Sequence, residues 1–154
     1  MSRRGVLVAS ALATGTVVVG LQGCSISSST STSAPGEDYR SSASVEQALI
    51  AAYDAVILAH PSLAGALRPI RDEHKAHLSA CGVPGSTAPV VTATSTVRAA
   101  ISALITAEIS AARAHSRAAL QAADSHWVRT LTFLAASEAS HVPALRTVRE
   151  LETK

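Results

Sequence analysis

Glutamates and histidines stand in this chain where a helical repeat calls for leucine. The stretch FLAASEASHVPAL, residues 133–145, carries Glu138 and His141 on the stripe that holds Leu134 and Leu145. The full stripe runs Trp127, Leu131, Leu134, Glu138, His141, Leu145, Val148. Upstream, Val97, Ile101 and Leu104 continue through Glu108 to Ala111 and His115. Earlier still, Leu63, Leu67 and Ile70 lead into His74, His77 and Cys81, with Glu73 one turn from His77. A fourth stripe reads Glu46, Ile50, Tyr53, Ile57 and is one of two that its segment allows. A buried carboxylate without a partner costs several kcal/mol, so these groups need partners. Two kinds of chemistry would meet that need. Carboxylates can pair with imidazoles directly, or both can hold a metal ion through oxygen and nitrogen.

Blander placements stand beside these. Glu46 in a first helical turn is favoured by the helix dipole. The run RDEHK, residues 71–75, reads mostly as a solvated patch around His74. His115 lies two turns from Glu108, about 10 Å along the axis, too far for one shared ion. It reads as a core or surface histidine. Tyr53 reads as core, and Cys81 as a small apolar residue.

Period 3.6 dominates, and period 2 is nearly absent. The spacing predicts four helices, over about 44–59, 62–81, 95–123 and 125–151. Ser44, Ser95 and either Asp124 or Ser125 are candidate N-caps. Pro143 removes one helical hydrogen bond and should bend the last helix near Ala139. The links HPS and ADS are short enough to force antiparallel hairpins. The expected fold is therefore an all-α, antiparallel four-helix bundle. The 82–94 connection is longer, and at up to about 3.3 Å per residue it could run the length of the bundle. Both a simple up-down order and a crossover stay open.

In an antiparallel hairpin, residues at the same depth have numbers that add to a constant. With turns near 61 and near 124–125, Glu46 falls level with His77, and Glu108 level with His141. Each second helix also supplies a Glu one turn from its His: Glu73 and Glu138.

Over nearly all of residues 45–151 the chain resembles the ferritin-like superfamily of di-metal carboxylate proteins. Their pattern takes one Glu from each of two helices and Glu-x-x-His from the other two. Glu138-Ala139-Ser140-His141 matches, and Glu46 and Glu108 supply the single glutamates. The second helix departs from it: in Asp72-Glu73-His74-Lys75-Ala76-His77 the Glu73–His77 spacing is four. His74 and His77 have the right spacing without the carboxylate. The resemblance implies Glu46, Glu73, His77, Glu108, Glu138 and His141 as metal ligands, with iron or manganese as the ion. The high histidine share also admits zinc or copper. In plan the chain is similar to small exported ferritin-like proteins of actinomycete-type bacteria.

The N-terminus reads as an address. MSRRG is a charged start, followed by an apolar run of small residues and LQGC. That ending resembles a lipobox, with residues 1–23 as signal peptide and Cys24 as the lipidated residue. Arg3 and Arg4 resemble a twin-arginine export signal, although two arginines also accompany ordinary Sec export. Acyl chains on Cys24 would anchor the protein to the outer face of the cytoplasmic membrane. Residues 24–44, Ser/Thr-rich, read as a tether, and 45–154 as the folded domain. Without Arg3 and Arg4, Lys+Arg falls from 13 to 11, against 11 Asp+Glu. A neutral mature chain with no basic block lacks the footprint of nucleic-acid binding. With Cys24 lipidated, only Cys81 remains, so no intramolecular disulfide is expected. The sequence has no nucleophile elbow, phosphate loop or CxxC, which leaves no visible basis for catalysis without a metal. A metal-free bundle that binds or assembles with a protein partner, or with a second copy as a homodimer, is the alternative.

Overall fold

Short polar side chains set two of the helix starts. Asp124 Oδ1 accepts the Trp127 N–H at 2.7 Å, and Thr96 Oγ1 accepts the Ala99 N–H at 3.3 Å. Each satisfies a donor that has no partner inside its own helix. The computed structural model describes residues 37–82 and 96–152. Four helices account for nearly all of them: α1, Glu37–Ala59; α2, Ala64–Ala80; α3, Val97–Gln121; and α4, Ser125–Leu151. A 3-10 turn at Pro61–Leu63 leads into α2. No strand occurs among the described residues, and the all-α bundle expected from the sequence is the fold. Arg3, Arg4, Cys24, residues 25–36, Ser95 and most of the 82–94 connection lie outside the described residues.

Some boundaries differ from expectation. α1 begins at Glu37 rather than near 44, so part of the expected tether is helix. Tertiary packing accounts for this. Tyr39 stacks on Trp127 with ring centroids 4.0 Å apart, and Ser42 and Ala43 are buried. Such contacts override the modest helix preference of serine. Ser44 is consequently not a cap; its hydroxyl donates to the Arg40 carbonyl within the helix. Pro143 lies inside α4, which continues to Leu151.

The core is layered. At one end the close of α1, the starts of α2 and α3 and the close of α4 bury Val56, Leu63, Leu67, Ile101, Leu104 and Leu145. At the other end Ala43, Cys81, Trp127, Leu131 and Leu134 pack together. Between these apolar layers lie Glu46, His74, His77, Glu108, His115, Glu138 and His141, all buried.

Neighbour relations resolve the topology. α1 packs on α2 and α3, and α4 packs on α3 and α2, while α1–α4 and α2–α3 are diagonal. α2 finishes in the layer of Cys81, whereas α3 starts in the layer of Ala100 and Ile101. These two helices therefore run the same way, and the chain between them makes a crossover. The Tyr39–Ala59 segment of α1 is long and apolar enough to cross a membrane by length and composition. It is a bundle helix all the same, because it buries Glu46 and Tyr53 against polar partners on α2 and α3.

Candidate metal centre

The inward stripes of α2, α3 and α4 carry the polar residues to one depth. Three of the four stripes match the sequence expectation residue by residue among fully buried positions, with Val97 and Val148 half-buried. On α1, Leu49 and Val56 are buried where Ile50 and Ile57 were expected, and those two are half-buried. The segment is apolar nearly all round, so its pattern does not choose a face.

His74 sits at the centre. Its Nδ1 is 2.9 Å from Glu46 Oε2, and its Nε2 is 3.0 Å from Glu108 Oε1. Glu108 also accepts a hydrogen bond from the Tyr53 hydroxyl. The rings of His77 and His141 stand edge-on to His74, with centroids 5.6 and 5.1 Å away. His77 Nδ1 lies 3.6 Å from Glu46 Oε2, and His141 Nδ1 lies 3.3 Å from Glu108 Oε1. The two level pairings read from hairpin depth are therefore present. Toward the Cys81 layer, His115 Nδ1 contacts Glu138 Oε1 at 2.8 Å and Glu46 Oε1 at 3.8 Å.

Two placements differ from the sequence reading. Glu73 is not among the buried donors; its side chain is 56% exposed. It crosses the α2–α4 seam, where its Oε2 accepts from His141 Nε2 at 3.0 Å and from Ser137 Oγ at 3.3 Å. One residue further on, a 100° turn of the helix puts His74 inside. His115, expected to be apart from Glu108, is indeed on other partners, but it belongs to the polar layer. The stripe contained it, and Glu46 and Glu138 extend the layer along the axis to reach it.

The electrostatics follow from burial against pairing. Burial alone would raise the Glu46 carboxyl, but the hydrogen bond from His74 and the nearby His77 imidazole hold it down at about 2. Glu108 is likewise lowered, the His141, His74 and Tyr53 groups outweighing its burial. Burial would lower His74, yet Glu108 and Glu46 lift it to about 9. With both carboxylates ionised, His74 donates from both nitrogens and is an imidazolium in the metal-free bundle. Glu138 is raised, first by burial and then by the nearby Glu46 charge. Tyr53 is raised by burial and by the Glu108 charge, so its hydroxyl keeps its proton. Cys81 is a free buried thiol, pushed up to about 12 by burial and by Glu46 and Glu138. It is a neutral core residue.

Three overlapping trios place one donor atom from each member within 4.8 Å of the others: Glu46/His74/His77, His74/Glu108/His141 and Glu46/His115/Glu138. Glu46 Oε1, His77 Nδ1, Glu108 Oε2, His115 Nε2, Glu138 Oε2 and His141 Nδ1 are buried without a hydrogen-bond partner. Buried polar atoms are rarely left so. Lone-pair donors of these types, converging from four helices, fit a transition-metal ion. No protein-family model, curated protein or solved structure matches the chain.

Proposed function

We propose that this protein is an exported, lipid-anchored bundle of ferritin-like type that binds transition-metal ions in its core, for storage, sensing or redox work. The observation that carries the reading is the set of unpartnered buried donor atoms within the three trios. The single crossover between α2 and α3 supports the ferritin-like plan, which uses one such long connection. Carboxylates favour iron or manganese, and the histidines also admit zinc or copper. A bound ion would supply positive charge to Glu46, Glu108 and Glu138 in place of the protons on the histidines, and a redox centre if it were iron, manganese or copper. The chain's own groups would hold it in place: Tyr53 fixes Glu108, and Glu73 fixes His141. Protein loaded separately with iron, manganese, zinc and copper, then desalted, should retain at least one equivalent of one of them by elemental analysis. Retention of none would overturn the reading.

The anchoring part rests on LQGC and the apolar run before it. Cys24→Ala should move the protein from the membrane to the soluble fraction, and unchanged membrane retention would overturn it. A metal-free binding or assembly module is the second reading, favoured by His74, whose two ring nitrogens already lie 2.9 and 3.0 Å from Glu46 and Glu108. Under it, melting would ignore metals, and a protein partner or second copy would be recovered with the chain.

A further inference from the structure

The polar layer is not uniform in its donors. Two of its trios, His74/Glu108/His141 and Glu46/His115/Glu138, share no residue. The first offers two nitrogens and one oxygen donor group, the second one nitrogen and two carboxylates. We propose that the core holds two chemically unlike metal positions, a nitrogen-rich one at His74, Glu108 and His141 and a carboxylate-rich one at Glu46, Glu138 and His115. The proposal rests on the metal-binding reading above and deepens it.

The nitrogen-rich half is built the way imidazole ligands usually are, with the non-ligating nitrogen held by a carboxylate. His141 gives Nε2 to Glu73 at 3.0 Å, which leaves Nδ1 facing Glu108. His74 gives Nδ1 to Glu46 at 2.9 Å, which leaves Nε2 facing Glu108. Both rings are thereby turned toward the same carboxylate. Two imidazoles and a carboxylate suit zinc, copper or iron.

The carboxylate-rich half has the opposite character. Glu46 and Glu138 both approach His115 Nδ1, at 3.8 and 2.8 Å. Glu46 Oε1 and Glu138 Oε2 are buried and have no hydrogen-bond partner. Two carboxylates against one imidazole suit a harder ion such as manganese. Glu46 is the joint between the halves: Oε2 faces His74 and His77, and Oε1 faces His115. His77 stands beside the joint as a seventh donor.

The test is a competition on the full chain, stripped of metal. Zinc added first should fill one equivalent, and manganese added next should bind a further equivalent without releasing it. Cobalt titration of the unaltered chain should show two spectral classes that fill in succession. Glu73→Ala, at a half-exposed position, should weaken zinc by about 10–100-fold and leave manganese unchanged. His115→Ala should remove the manganese equivalent and spare zinc, with circular dichroism confirming its fold. If zinc and manganese displace each other from a single equivalent, or Glu73→Ala weakens both equally, the two-position inference fails while metal binding stands. If no ion binds at all, the metal-binding reading itself fails.

Discussion

Adjacent residues Glu73 and His74 show how finely the layer is specified. Both could serve a metal, and resemblance to the Glu-x-x-His pattern favours Glu73. The apolar stripe through Leu67 and Ile70 points to His74 instead, and the stripe is what the fold obeys. Periodicity acts through burial of the whole helix face, whereas a short motif carries no such constraint. Glu108 is the most heavily used acceptor of the layer, taking hydrogen bonds from Tyr53 and His74. Glu108→Ala would leave a buried imidazolium and hydroxyl without it, so denaturant unfolding of the metal-free protein should show a loss of roughly 3–5 kcal/mol. The pH profile has a definite sign. Five groups surround His74: Glu46 and Tyr53 from α1, His77 from α2, Glu108 from α3 and His141 from α4. Its raised value, about 9 against 6.5, means stability fully present below pH 6.5 and lost as pH rises through 9. Glu46, at about 2 against 4.5, contributes above pH 4.5, and that contribution is lost as pH falls toward 2. Melting temperatures of chelator-treated protein should therefore peak between pH 4.5 and 6.5, and a profile rising steadily to pH 9 would contradict this.

At the scale of helices, the stripes of α2, α3 and α4 were legible because each alternates a clear apolar face with an exposed one. α1 was less so. In EQALIAAYDAVILA apolar residues surround the axis, and only the packing of Leu49 and Val56 selects the face. The start of α1 was hidden for a related reason: Tyr39 stacks on Trp127 across the bundle, a contact between residues 39 and 127 that no local pattern announces. Hairpin depth, by contrast, depends only on short links and a constant rise per residue, and it placed Glu46 by His77 and Glu108 by His141. It did not place His115 with Glu46, because that contact crosses between hairpins, nor with Glu138, which lies about one turn off the level position within its own hairpin. The cap of α4 was narrowed in the sequence to Asp124 or Ser125, and Asp124 is the one that accepts the Trp127 N–H. Asp124→Ala should cost about 1 kcal/mol in unfolding free energy. The loss should be the same with and without metal, since the cap lies at the end of the bundle away from the polar layer.

Over the whole molecule, two apolar layers enclose one polar layer, and the four helices each contribute to it. Burying three glutamates and four histidines this way costs stability compared with an apolar core of the same shape. A role for those side chains is the simplest reason for keeping them there. The crossover between α2 and α3 makes α1 the neighbour of α3, and this brings Glu46 between His74 and His115. In a plain up-down order α1 and α3 would be diagonal, and the two halves of the layer would meet differently. Metal binding to the folded state alone should raise stability by about 2.7 kcal/mol at a free-ion concentration one hundred times Kd. The most direct measurement is anomalous diffraction from crystals grown with zinc and with manganese. The account predicts peaks between the two apolar layers, at about 2.0–2.2 Å from nitrogen and oxygen atoms of the buried glutamates and histidines. Crystals that bind either ion only at the surface, with the polar layer still joined by its direct Glu–His contacts, would contradict it.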